Sequence, residues 1–304
     1  MTNGDQTMLK RRKHEERFIE ARPEESAWHR FVRVFFGRKI VLFGLIIVAL
    51  YIIVAIFAPW IAPYDYKTIS NDILSQPSNE HWLGTDTVGR DVLSRLIFGI
   101  RPTLIVGSAT ILIAAVCGTI LGLLAGYFGG WVHTIIMRCI DALMGFPMIL
   151  LALLIASLLG GGLKNLIIAL GIALIAGFAR VMCAQTLSLK ENDYILAGRS
   201  LGLTNFRVMW KHIIPNAFPP MIILATMNIG MVILMEAGLS FLGIGIQQPD
   251  AAWGSMVSAG YGRLDTNPSL SVAPGIAIML IVFSLNMVGD GLRDALDPRL
   301  RGTL

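Results

Sequence analysis

Few residues in this 304-residue chain could bind or move charge, and they are widely spaced. Asp86, Arg90 and Asp91 occur with Gly84 and Gly89 in HWLGTDTVGRD (residues 81–91). Two carboxylates beside an arginine could hold a metal or a phosphate, or could close a structured loop by Asp–Arg pairing. Gly and Asp are turn formers, and without His or Cys the donor set suits a metal poorly, so loop closure is the preferred reading. Arg138 and Asp141 are spaced i,i+3 and can pair on one helix face. Glu236 and Pro147 lie among apolar residues, where a carboxylate marks a candidate path and a proline a kink or gate. The histidines at 14, 29, 81, 133 and 212 scatter over tail and loops and form no Ser/His or His/Glu catalytic spacing. No Gly-rich loop ending in Gly-Lys-Ser/Thr occurs, so the chain does not bind ATP by that route. Cys117, Cys139 and Cys183 fall in or at the ends of apolar runs and read as buried apolar filler, not as a disulfide framework.

These residues sit among elements dominated by apolar sequence. The chain is 55% hydrophobic and 15% charged, with mean hydropathy +0.67. Apolar runs of about 20 residues match the hydrocarbon thickness of a bilayer. Six occur, at 40–59, 102–126, 132–159, 163–183, 217–236 and 273–289, and predict an all-α polytopic membrane protein with six transmembrane helices. Nothing before residue 28 resembles a signal peptide. With the N-terminus inside, nineteen of the 25 Lys and Arg fall on the inner side, so the positive-inside rule places both termini in the cytoplasm. The basic pI follows from that bias, and no aromatic–basic surface suggests nucleic acid.

The predicted divisions are a cytoplasmic tail and interfacial segment at 1–39, a first span and outer loop at 40–101, a five-span core at 102–291 with a polar cytoplasmic loop at 184–215, and a cytoplasmic end at 292–304. In the first, Trp28, Phe31, Val32 and Phe35 recur at helical spacing among arginines, which suits a helix in the membrane interface or an extension of the first span. Gly118, Gly122 and Gly126, with Gly171 and Gly177, predict close helix packing within the subunit or against a partner. Glu236, Arg180 and Asp290 are expected at the ends of spans. With no ionisable group clearly at mid-bilayer, an ion-coupled secondary carrier lacks the residues it would need, and a membrane enzyme lacks a catalytic constellation.

The polar loop carries the functional argument. In LAGRSLGLTNFRVMWKHIIPN (residues 196–216), Tyr194, Ala197, Gly198 and Leu201 share a thin helical face, and Gly202 is placed to end that helix. Thr204 can cap a second helix, in which Phe206, Met209, Trp210 and Ile213 recur as an apolar ridge. Arg207 and Lys211 lie on another flank, and Pro215 is expected to end the element before the fifth span. Two short helices with an exposed aromatic ridge suit a knob for a partner's groove. An amphipathic loop resting on lipid headgroups is the alternative.

This segment resembles the EAA loop of ABC-importer membrane subunits, matching at Leu196-Ala197-Gly198, Gly202 and Ile213-Ile214-Pro215. HIIPN (212–216), LGTDTVGRDVLSRLIFGIRPTLIVG (83–107), EAGLSFLGIGIQQP (236–249) and GDGLRDALDPRLR (289–301) are similar to the peptide/nickel branch, specifically to the C-type permease of dipeptide/oligopeptide ABC importers. The resemblance implies an ABC type I importer permease fold in a prokaryotic cell membrane, doing no chemistry itself. It implies four kinds of partner: a homologous second permease forming a heterodimer, two cytoplasmic ABC ATPases that bind the ATP and Mg, an extracytoplasmic binding protein, and membrane lipid. No cofactor would bind this chain. Coupling to the ATPase would fall to Ala197, Gly198, Gly202, Phe206, Arg207, Met209, Trp210, Lys211 and Pro215. Di- or oligopeptides would be the substrates, with nickel chelates, opines and glutathione-like peptides as alternatives. Leu196 stands where the motif has Glu and Gly198 where it has its second Ala. Any grip on an ATPase here therefore rests on shape, apolar contact and basic flanks.

Overall fold

The computed structural model describes residues 27–296 of the chain. Among them all regular structure is helical, apart from one isolated bridge between Thr85 and Asp91. Residues 1–26 of the segment expected at 1–39, and residues 297–304 of the end expected at 292–304, lie outside the described residues.

Helix α1 (Ala27–Gly37) is separate from α2 (Lys39–Ile61), because Arg38 adopts an extended conformation between them. Phe35 is buried, stacks on Phe31 and helps seat α1 against the last helix. An ion pair from Arg38 to Asp294 joins the two ends of the described chain. Helix α2 is apolar on all sides, with Ile46, Ile53 and Ile56 projecting outward, as a helix bathed in lipid requires.

Helix α3 (Val92–Phe128) starts ten residues before the apolar run expected at 102. Asp91 caps it by accepting the Ser94 N–H, and the Val92–Arg101 turns carry Ser94, Arg95 and Arg101, which an apolar scan passes over. At about 1.5 Å per residue α3 spans roughly 55 Å.

The span expected at 132–159 is instead two helices, α4 (Gly130–Met144) and α5 (Met148–Leu159), bent by 92°. Proline lacks the N–H needed to continue a helix and disfavours helical geometry in the residue before it. Pro147 therefore makes a right-angle break where a kink was expected. Five other helices are long and apolar enough to cross a membrane, and the bent pair makes a sixth if counted as one span.

Helix α6 (Leu163–Lys190) packs along α3 through Gly118, Gly122 and Gly126. A Cβ at Gly118 would collide with Phe178, and one at Gly122 with the Ala179 carbonyl. The small-residue stripe thus serves packing inside the subunit. Gly177 is different, since among the described residues no other side chain or neighbouring element lies within 4 Å of a Cβ there.

After α6 come α7 (Asp193–Ser200) and α8 (Asn205–Val208), a π-turn (Met209–Ile213) and α9 (Ile214–Phe241). Then follow α10 (Trp253–Tyr261) and α11 (Ser269–Leu296). One buried core joins α3, α5, α6 and α9, and a second joins α2, α3, α10 and α11 around Trp253. Arg180, Glu236 and Asp290, expected at the ends of spans, lie inside helices that continue to Lys190, Phe241 and Leu296.

Candidate functional site

The two clusters of polar and aromatic residues lie at opposite ends of α3. At the Phe128 end, α7 closes on Gly202. Its φ is +86°, the Leu203 N–H bonds the Gly198 carbonyl at 3.1 Å, and the Gly202 N–H bonds the Arg199 carbonyl at 3.0 Å. This pair of bonds is a Schellman closure. Leu203 folds back over Gly198, where a Cβ would come within 2.8 Å of the Leu203 Cδ1. A methyl group at 198 would need only the Leu203 side chain to shift. The Thr204 hydroxyl then accepts the Arg207 N–H and caps α8.

The chain from Asn205 to Phe241 is one continuous helical rod, so Pro215 does not end an element. Proline costs a helix the bond from its own nitrogen and crowds the carbonyl one turn back. Here the π-turn precedes it: the Ile214 N–H reaches the Met209 carbonyl, and Pro215 sits in the first turn of α9, where a missing N–H costs little.

That π-turn also divides the expected ridge. Phe206 (71% exposed) and Trp210 (63%) project outward with their rings parallel and 6.2 Å apart. Ile213 points the other way into the core beside Val208, and Met209 is half-buried against it. Leu201, 88% exposed, and Tyr194 extend the apolar surface from α7. Ala197, Arg207 and Lys211 are exposed around it. Tyr127 anchors the assembly to the end of α3: its hydroxyl donates to the Asn205 Oδ1 at 2.8 Å, and the Arg199 guanidinium lies over its ring. Tyr127 carried no sequence signal, because its partners lie some 70 residues away.

At the other end, the segment 84–91 is closed by its own charges. One Asp86 oxygen accepts the backbone N–H groups of Val88 and Arg90, and the other accepts the Arg90 Nε at 2.8 Å. Asp91 pairs with His81 at 2.8 Å while capping α3. Gly84 and Gly89 adopt φ of +77° and +85°, and a Cβ at either would strike a carbonyl of residue 75 or 70. Asp86 and Asp91 thus spend their lone pairs on the loop itself. Among the described residues no group of three or more His, Cys, Asp or Glu could hold a metal.

The loop is also tied across the fold, which the sequence did not reveal. Arg90 donates to the Gln248 side chain, and Arg95, almost fully buried, donates to the carbonyls of Tyr66, Pro249 and Asp250. The two long loops of this end are therefore one unit. A cleft of about 360 Å³, counting space open to solvent, lies between them, lined by Asp86, Arg90, Gln248, Ser255 and Met256 among others.

Between the two ends, Glu236 is buried in α9 and accepts the Ser240 hydroxyl at 2.7 Å, while Ser240 in turn accepts the Ile246 N–H. Pro147 sits at the break between α4 and α5. Asp141 does not pair with Arg138 along its own helix. Its partner is Arg180 of α6, at 2.7 Å, because α4 lies against that face of α6. Cys183 is buried, but Cys139 is exposed, so it is not buried filler.

Residues 118–302 match the family described as binding-protein-dependent transport system inner membrane component, and residues 26–77 match the N-terminal TM domain of oligopeptide transport permease C. The chain belongs to this family of importer permeases. The permease is 41% identical over 277 residues to a dipeptide transport system permease protein of Alkalihalophilus pseudofirmus, covering 91% of each chain. It is 39% identical to a glutathione transport system permease protein of Pectobacterium atrosepticum, covering 93% of this chain and 95% of that one. A relative of the same name from Escherichia coli is 42% identical, with 91% and 92% covered. Among solved structures, an inward-facing MetNI methionine ABC transporter aligns with TM-score 0.55 at 19% identity, covering 66% of this chain and 96% of that one. An amino acid ABC transporter with histidines aligns with TM-score 0.51 at 17% identity, covering 66% and 93%. At such identities these two likenesses concern the fold alone. The permease is thus a multi-pass inner-membrane subunit of a binding-protein-dependent ABC importer.

Proposed function

We propose that the permease imports di- or oligopeptides as half of a heterodimer with a homologous permease, and that it does no chemistry itself. Two cytoplasmic ATPases bind the ATP and Mg, and this chain binds no cofactor. Both termini lie in the cytoplasm of a prokaryotic cell. That places the α7–α8 knob inside and the loops at 62–91 and 242–268 outside, where an extracytoplasmic binding protein delivers its cargo.

The observation that carries this reading is the Phe206–Trp210 pair. Two large aromatic rings stand exposed on a short capped helix whose backbone continues unbroken into a membrane-spanning rod. Exposed aromatic anchors with basic neighbours are the usual content of an interface centre. A rod transmits the movement of such an anchor to the translocation path. Gly202 lets α7 and α8 seat at an angle, and Ala197, Gly198, Met209, Arg207, Lys211 and Pro215 shape the knob and its rim.

The dipeptide permease relative favours a peptide cargo, and the glutathione permease relatives of similar identity favour a small thiol tripeptide as the second candidate. Reconstitution of the full importer in proteoliposomes separates them. ATP-dependent uptake of a labelled dipeptide, competed weakly by glutathione, is expected. Uptake driven by a proton or sodium gradient without ATP would overturn the proposal, and preference for glutathione would move the cargo to the second candidate.

A further inference from the structure

One charged pair in the spanning region is left unused by the coupling knob and the loop cluster. Asp141 of α4 and Arg180 of α6 meet at 2.7 Å, with their side chains 48% and 49% exposed. The α6 helix is more enclosed by this chain than the four other unbroken spanning helices. Its uncovered stripe runs through Ile168, Gly177, Arg180, Ala184 and Leu187. Arg180 lies about 15 Å along the helix from Lys190, level with α3 residues 118–122, which pack on Ala179. Its guanidinium reaches Asp141 of α4.

Charged groups within a membrane-spanning segment belong in a bundle interior or a water-filled cavity, not against hydrocarbon. A second observation points the same way. Six residues past Asp141 the chain breaks by 92°, leaving Gly145, Phe146 and Pro147 exposed and non-helical between two apolar helices. Irregular backbone within a membrane is tolerated only where protein or a water-lined cavity satisfies it. Beside Arg180, Gly177 and Ala184 add no bulk, and a Cβ at Gly177 would meet open space.

We infer that Asp141 and Arg180 face water in the translocation path and receive the two ends of a zwitterionic peptide, the α-ammonium at Asp141 and the α-carboxylate at Arg180. This rests on the peptide reading above. A guanidinium matches a carboxylate through two parallel hydrogen bonds. An ion pair this open is only weakly held, so a peptide terminus can part it. The opposite charges sit on two different elements, α4 and α6, so they can separate as the broken span moves.

Uptake by the reconstituted importer tests this with a free dipeptide, its C-terminal amide and its N-acetyl form. The same binding protein serves every variant, so its own preference cancels when ratios are compared with wild type. Arg180→Gln is expected to lower the free-to-amide ratio about tenfold, the factor set by one charge-assisted hydrogen bond, and to leave the free-to-acetyl ratio as it was. Asp141→Asn is expected to do the reverse. A pair that merely braces α4 on α6 would slow all three substrates by one common factor, and unchanged ratios would overturn the assignment. Should Arg180→Gln fail to assemble, Arg180→Lys keeps the charge without the fork and should shift the same ratio less. Independently, Arg180→Cys, with the three native cysteines replaced by Ala, should react with a membrane-impermeant methanethiosulfonate and be slowed by dipeptide. An unreactive thiol would overturn the water-facing position. A wild-type importer that takes up none of these peptides would fail the peptide reading instead, and the thiol reaction would still decide whether the pair faces water.

Discussion

At Gly202 the backbone holds φ +86° with no neighbour among the described residues within 4 Å of a Cβ, so a substitution there meets strain and no collision. Gly202→Ala should cost about 1 kcal/mol of local helix closure and loosen the knob without unfolding the spans. Faster hydrogen exchange confined to 198–206, with uptake reduced, is the expected result. Asp86 is the opposite case, since its carboxylate satisfies two backbone N–H groups and neutralises Arg90 beside the buried Arg95. Asp86→Ala should destabilise that loop by about 2–3 kcal/mol. It should abolish stimulation of the importer's ATPase by loaded binding protein, while ATPase subunits still co-purify. Loop closure at Asp86 was legible because a short stretch of Asp, Gly and Arg names its own partners. Arg95 was not, because it bonds carbonyls about 155 residues away, and carbonyls carry no sequence signature.

Element boundaries tell a similar story. Apolar length found the spans, and turn chemistry found Gly202 and Thr204. The start of α3 was hidden by its amphipathic first turns, and the ridge was assigned one residue face too wide because a 3.6-residue period fails across a π-turn. That turn inserts one residue into the rod between the exposed aromatics and α9. Deleting Lys211 should restore a plain helix and rotate Phe206 and Trp210 by about 100° relative to α9. The expected outcome is a folded, membrane-inserted permease whose ATP hydrolysis no longer drives uptake. Full transport after the deletion would show that the register of the rod does not matter.

On the scale of the whole molecule, α3 sets the distance between a loop unit at one end and a helical knob at the other, and the α3–α6 glycine seam packs the body between them closely. On the proposed function, the loop unit receives a loaded binding protein and the knob serves as the lever. Because Leu196 leaves the motif without its carboxylate, the proposed grip on the ATPases falls to the aromatic pair. Phe206→Asp together with Trp210→Asp, followed by co-purification of the ATPase subunits from membranes, tests this most directly. Loss of the ATPases from a permease that still inserts and still pairs with its partner permease is the predicted result. ATPase recovery and peptide uptake equal to wild type would contradict it.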